Sequence, residues 1–253
     1  MKDLMGLIDF VFPPRCPMNG QVVEGQGMLT SEAWQNLNFI NDPQCVRCGM
    51  PFEFMQDSAN EISNDNSNNN SHQLCGACIK YPPIFNQARS VLVYNDASRD
   101  IILGFKHGDK TQNVATFAPW LRQAGDDMLR RADFLMPIPL HPFRLMKRRF
   151  NQSGILAQYL SKEINIPVLI EGLIRTRSTP VQGHLRRDER KKNVRHAFSL
   201  HPSSKALIKN KNIVLIDDVF TTGATVTECA KTLLKNQAGT VSVLTLARVV
   251  KGV

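Results

Sequence analysis

From residue 88 onward the chain alternates short apolar runs with longer stretches in which apolar positions recur every three or four residues. Residues 90–94, 134–139, 167–174, 212–217 and 241–247 read as strands, and residues 98–105, 116–131, 152–162 and 224–236 read as helices. The last helix carries Val226, Cys229, Ala230 and Leu233 at i, i+3, i+4, i+7 spacing, a single face for a core. Residues 213–216 are apolar without interruption, the pattern of a strand covered on both sides. Strands parted by helices of about ten residues or more predict crossover connections and a mostly parallel sheet flanked by helices. Ligands of such sheets bind beyond the carboxyl ends of the strands. Residues 175–200 interrupt the alternation with a long polar and basic stretch.

The preceding residues follow a different pattern. Residues 1–12 are apolar apart from Lys2, Asp3 and Asp9 and predict a short docking helix. They lack the basic start and small-residue cleavage site of a signal peptide, so a cytoplasmic protein is expected. No run approaches the roughly 18 apolar residues of a membrane span, and no membrane partner is expected. Four of the six cysteines form two C-x-x-C pairs, Cys45/Cys48 and Cys75/Cys78, with 26 residues between them. Two thiolates at that spacing can grip a metal from one turn, and two such turns complete a tetrahedral zinc site. Gly49 and Gly76 adjoin these turns, where a backbone without a side chain is useful. Disulfides are the alternative, disfavoured in a reducing compartment, and a redox C-x-x-C would need only one pair. Between the pairs, residues 57–73 include Asn-Ser-Asn-Asn-Asn-Ser at 66–71 and predict a mobile loop. Tyr81-Pro82-Pro83 closes the module, giving a metal-binding unit over residues 1–87 and a second domain over 88–253.

A composition of 42% hydrophobic and 21% charged residues is globular and excludes collagen-like, coiled-coil and mostly disordered chains. Charge is unevenly spread. Residues 140–200 hold 13 Lys and Arg against 4 Asp and Glu, which accounts for the whole net charge of +9. Such a field attracts phosphate, in a small ligand or along a nucleic acid; a solvated face is the plainer alternative. Five of the seven residues at 186–192 are basic. Arg186, Arg187, Arg190, Lys191, Lys192 and Arg195 could track a single-stranded DNA backbone, with few aromatics nearby for base stacking.

The strongest chemical signal is Ile213-Val-Leu-Ile-Asp-Asp-Val-Phe-Thr-Thr-Gly-Ala-Thr225. A buried strand leads to Asp217 and Asp218, then to a Thr/Gly loop that opens a helix. Helix amino termini offer unpaired N–H groups and a positive dipole end to an anion. Gly223 permits close backbone approach, and Thr221, Thr222 and Thr225 add hydroxyl donors around Ala224. The acidic pair cannot donate to phosphate; it suits sugar hydroxyls, or magnesium held through water. None of the 15 glycines is followed by lysine, which excludes a P-loop. A sugar carrying a terminal phosphate is the ligand implied.

This segment resembles the phosphoribosyl pyrophosphate (PRPP) motif of type I phosphoribosyltransferases, with Phe220 in place of a smaller aliphatic residue. Pro137-Ile-Pro-Leu-His-Pro-Phe-Arg, Lys147-Arg-Arg-Phe-Asn-Gln-Ser, Phe105-Lys-His-Gly, Gln182, Arg190-Lys-Lys-Asn-Val and Ala197-Phe198 resemble the ComF/GntX-like branch, the competence protein F family. The resemblance implies a type I phosphoribosyltransferase-like α/β fold with an amino-terminal four-cysteine zinc ribbon. It implies that Asp217 and Asp218 hold ribose hydroxyls, that residues 221–225 cradle the 5′-phosphate, and that Arg148, Arg149, Asn151 and Gln152 grip pyrophosphate. Residues 175–195 correspond to a flap that closes over substrate. Arg149 replaces a glycine usual in the family. Family members often carry two further cysteine pairs; here Cys16 stands alone, with Asn19 in its partner's place, so one zinc is expected. The implied role is in natural transformation, with single-stranded DNA and a competence helicase or recombination mediator as partners. The alternative is an active phosphoribosyltransferase that uses magnesium and PRPP on an unidentified acceptor.

Overall fold

A computed structural model describes residues 13–52, 73–107, 113–142, 145–146, 150–177 and 194–250. Its elements, in chain order, are α1 (Ser31–Gln35), α2 (Gly76–Lys80), β1 (Ala88–Val93), α3 (Asp96–His107), α4 (Val114–Leu129), β2 (Phe134–Pro137), α5 (Gln152–Ile164), β3 (Leu173–Arg175), β4 (Phe198–Leu200), β5 (Asn212–Phe220), α6 (Ala224–Lys235) and β6 (Thr240–Arg248). Strands β1, β6, β5 and β2 lie in that order in one sheet, and every neighbouring pair is parallel. The expected parallel α/β architecture is therefore present. The expected docking helix at residues 1–12 and most of the Asn-rich loop lie outside the described residues.

Strand alternation divides the apolar side chains between two cores. On one face Leu135, Val214, Ile216, Leu244 and Leu246 pack under α3, α4 and α5. On the other, Met136, Ile213, Leu215, Val241 and Val243 pack under α6, whose Val226, Cys229, Ala230 and Leu233 are all buried as the spacing predicted. Ser90 and Thr245 share a buried hydroxyl–hydroxyl bond of 2.7 Å between β1 and β6.

Both outer strands of this sheet are covered. Along β1, the Ile40 amide donates to Val91 and the Val93 amide to Asn38, an antiparallel addition from the amino-terminal module. Along β2, Val168 makes one parallel bridge to Leu135. Residues 167–174, expected to be a single strand, are thus split. The chain turns after Leu169, and Leu173–Arg175 pair antiparallel with Phe198–Leu200 in a separate two-stranded sheet. Gly172 permits that turn beside the core, since a Cβ there would meet the Met136 methyl at 2.4 Å.

Leu215 lies wholly inside the central strand, so Leu215→Ala should cost about 2–5 kcal/mol, read as a lower urea midpoint at unchanged slope. Ile79 is 67% exposed, and Ile79→Ala should move the midpoint by less than about 0.5 kcal/mol.

Candidate functional site

β5 continues past the two carboxylates to Phe220, because β6 runs on beside it and pairs Thr245 with Asp217, Ala247 with Val219 and Arg248 with Phe220. The strand expected over 212–217 is three residues longer, and only Thr221, Thr222 and Gly223 separate it from α6. Val219 packs with Val214 and Ile216, and Phe220 with Ile213 and Leu215, so strict alternation breaks between Ile216 and Val219, where Asp217 and Asp218 stand. Both are half-buried. Asp217 Oδ1 accepts from the Asp218 amide at 2.9 Å and from the Ser153 hydroxyl at 3.1 Å. Ser153, on the first turn of α5, has no role in the sequence reading; only its place beside Asn151 and Gln152 pointed to it.

Gly223 begins α6 at φ 73° and ψ 4°, a left-handed conformation that glycine adopts without strain, and gives the helix no capping side chain. The Ala224 amide reaches Thr222 Oγ1 only at 3.4 Å, and the Thr227 amide returns to the Gly223 carbonyl at 2.9 Å. A twelve-residue helix thus presents its positive end at the carboxyl edge of the sheet, an environment that suits an anion. Phe220 fills the space behind this turn: a Cβ at residue 223 would lie 2.7 Å from its ring.

Asn151 caps α5 and donates from Nδ2 to the Ile138 carbonyl at 3.0 Å, and its buried Oδ1 has no partner among the described residues. Gln152 is buried at the first position of α5. Arg148 and Arg149 lie outside the described residues, as do Gly108 and the side chain of Lys106. The same holds for Arg186, Arg187, Arg190, Lys191 and Lys192. Arg195 is described and exposed, its Nε donating to His196 Nε2 at 3.2 Å. A cavity of about 1080 Å³ extends between α6 and β4, with Thr222, Ala224 and Thr227 of the loop and helix start in its wall beside Arg195, His196, Lys231 and Lys235. Glu228, also in that wall, accepts from Lys231 Nζ at 2.8 Å and from the His196 amide at 3.2 Å. Burial pushes its carboxyl up, but these donors outweigh it and hold the group below the usual range.

The sulfurs of Cys45, Cys48, Cys75 and Cys78 all lie within 4.8 Å of one another, with Cys48 and Cys75 at 3.6 Å. Zn–S bonds of about 2.3 Å make a tetrahedron with sulfurs about 3.8 Å apart, so the four fit a structural zinc. The first turn is closed by the Gly49 amide on the Cys45 carbonyl at 2.8 Å, with Gly49 at φ 67°. Cys75 caps α2, and its amide points at Cys45 Sγ from 3.3 Å. Burial pushes the Cys45 thiol up, but the amides of Cys48, Cys75 and Arg47 overcome it and bring it down to about 7, which prepares a thiolate ligand. Burial and the neighbouring sulfurs push Cys78 up, a penalty that a bound cation relieves.

Arg248, 3% exposed at the end of β6, joins the two regions. Its guanidinium donates to the Cys48 carbonyl and stacks over the Phe220 ring at 5.2 Å, while Phe220 meets Phe85 edge-on at 6.2 Å. Arg248→Met removes a charged hydrogen bond and should lower stability by about 1.5–3 kcal/mol; an unchanged urea midpoint would contradict this role. Cys75→Ser should lose the bound zinc, measured by atomic emission on the purified protein.

A double zinc ribbon domain matches residues 7–79. The DNA utilization protein YhgH of Shigella flexneri is 31% identical over 212 residues, 81% of this chain and 83% of that protein. Competence protein F of Haemophilus influenzae is 30% identical over 211 residues, 81% and 85% of the two chains. Competence protein ComFC of Bacillus subtilis is 30% identical over 187 residues, 70% and 73%. Among solved structures, orotate phosphoribosyltransferase from Aeropyrum pernix aligns at a TM-score of 0.32 and 15% identity, over 63% of this chain and 80% of that one. With a four-cysteine ribbon fastened to a parallel sheet, and relatives that match it along most of its length, the chain belongs to the competence protein F family.

Proposed function

We propose that residues 217–225 bind PRPP, and that the protein serves DNA uptake with single-stranded DNA as a second ligand. The Gly223 turn carries this reading: it opens a helix without a side-chain cap at the carboxyl edge of a buried central strand, directly after two half-buried acids. Thr221, Thr222, Gly223, Ala224 and Thr225 would cradle the 5′-phosphate, and Asp217 and Asp218 would accept from the ribose hydroxyls. Ser153 steadies Asp217 from α5. Asn151, Gln152, Arg148 and Arg149 would form the pyrophosphate side, where the guanidinium forks suit phosphate oxygens. Half-buried carboxylates suit magnesium held through water, and the ion would neutralise diphosphate charge there.

The nucleic-acid reading is supported by the cavity along α6, where Arg195, Lys231 and Lys235 share a wall with Thr222. Arg195 ends the basic stretch that begins at Arg186, so a strand could run from that stretch past the phosphate loop. The names of the relatives, DNA utilization protein and competence protein, accord with this use. A competence helicase or recombination mediator would be the protein partner, and the cytoplasm the compartment. The second reading is an active phosphoribosyltransferase: the same cavity has room for an acceptor, and residues 175–195 would exclude water from the ribose centre.

Calorimetric titration with PRPP and magnesium should give a saturable heat that Asp217→Asn/Asp218→Asn weakens at least about tenfold, the loss of one to two charged contacts. Equal heats in the two proteins would remove the acids from the site. Single-stranded DNA affinity should fall on the order of a hundredfold between 50 and 200 mM salt, as about five phosphate contacts require. Release of pyrophosphate on addition of an acceptor would favour the enzymatic reading.

A further inference from the structure

The turn that holds Cys16 has the same bonding pattern as the turn that holds Cys45. The Cys16 amide donates to Gln21 and the Gly20 amide to Cys16, at 2.8 and 2.9 Å; Cys45 accepts and donates likewise with Met50 and Gly49, both at 2.8 Å. Gly20 and Gly49 sit at φ 72° and 67°. Antiparallel bridges flank both turns, Arg15 with Val22 and Gln44 with Pro51. A five-residue helix follows each, capped by Thr30 at φ −67°, ψ 156° and by Cys75 at φ −69°, ψ 154°. The correspondence places Cys16 on Cys45, Asn19 on Cys48, Thr30 on Cys75 and Ala33 on Cys78. Ala33 and Cys78 are buried alike.

We infer that residues 15–35 are a second ribbon whose metal has been replaced by a hydrogen-bond cluster centred on the Thr30 hydroxyl. That hydroxyl accepts from Asn19 Nδ2 at 2.9 Å and from the Ala33 amide at 3.3 Å, and donates to Cys16 Sγ at 3.9 Å. All four ligand positions are thereby tied together, although Ala33 offers a metal no donor atom. The two sulfurs are also surrounded alike. Burial pushes the Cys16 thiol up, but the amides of Asn19, Thr30 and Met18 bring it down; they occupy the places of the Cys48, Cys75 and Arg47 amides around Cys45. The family domain, a double ribbon, spans both units. Packing also stabilises the metal-free one: Met18 and Leu29 lie against the core, and a Cβ on Gly27 would come within 2.9 Å of the Ala115 backbone in α4.

Zinc analysis of the full chain tests this. The natural sequence should hold one zinc per chain, and Asn19→Cys/Thr30→Cys/Ala33→Cys should hold two, with a doubled thiolate-to-metal absorption on cobalt exchange. Two zinc ions in the natural sequence, or one in a folded triple variant, would overturn the inference. Should the triple variant fail to fold, Thr30→Val decides: a Tm lower by about 2–4 °C with zinc content unchanged supports the cluster, and an unchanged Tm refutes it.

Discussion

A guanidinium withdrawn from water must be answered by its neighbours, and around Arg248 those neighbours belong to distant parts of the chain. The Cys48 carbonyl accepts a hydrogen bond from Arg248 Nη1, and the Phe220 ring offers its electron-rich face. The same charge favours the Cys48 thiolate, which burial otherwise disfavours. The metal turn, the end of β6 and the end of β5 at Phe220 therefore have to settle together. Further bonds fix the turn against β1: the Ala88 amide donates to Arg47, and Arg89 Nη1 to Val46 at 3.1 Å. Gly49 allows this seat, because a Cβ there would stand 2.6 Å from the Ala88 carbonyl oxygen. A metal fold that looks detachable in sequence is a wall of the larger core.

Phe220 shows how a departure from a family pattern can be accommodated. Its ring would crowd any side chain at residue 223, and the left-handed backbone there already favours glycine. The larger residue and the glycine are thus complementary, and the turn keeps its shape. Cys229 lies one helical turn deeper, fully buried; burial and then Asp217 hold its thiol up, so it stays neutral beneath the loop.

Most of the parallel sheet could be read from the chain because its signals are local. Period and length mark α4, α5 and α6, and four unbroken apolar residues mark the centre of β5. The turn at Thr221–Gly223 is equally legible, since threonines and a glycine after a buried strand say what the backbone there must do. The failures were non-local. Residues 167–174 look like one apolar strand, yet Glu171-Gly172 turns the chain into a separate sheet whose other strand, Phe198–Leu200, is only three residues long. Arg175 stacks over Phe198 at 5.3 Å in that small sheet, a contact no spacing rule reveals. Ser153 and Arg248 escaped assignment because each acts on partners 64 and 200 residues away. Thr30 and Ala33 carry no metal-site signature at all; only the repeated shape of the turns exposes them.

The two borrowed edges of the sheet have a practical corollary. Parallel strands with open sides recruit other chains, and here the side of β1 is closed by backbone from residues 38–40. Cutting the polypeptide at the module boundary would strip that cover and leave Leu92, wholly buried in the intact chain, beside an unpaired row of amides and carbonyls. A fragment starting at residue 88 would carry that bare edge as a template for pairing with other chains. The amino-terminal module is, in this respect, a built-in chaperone for the strand it touches.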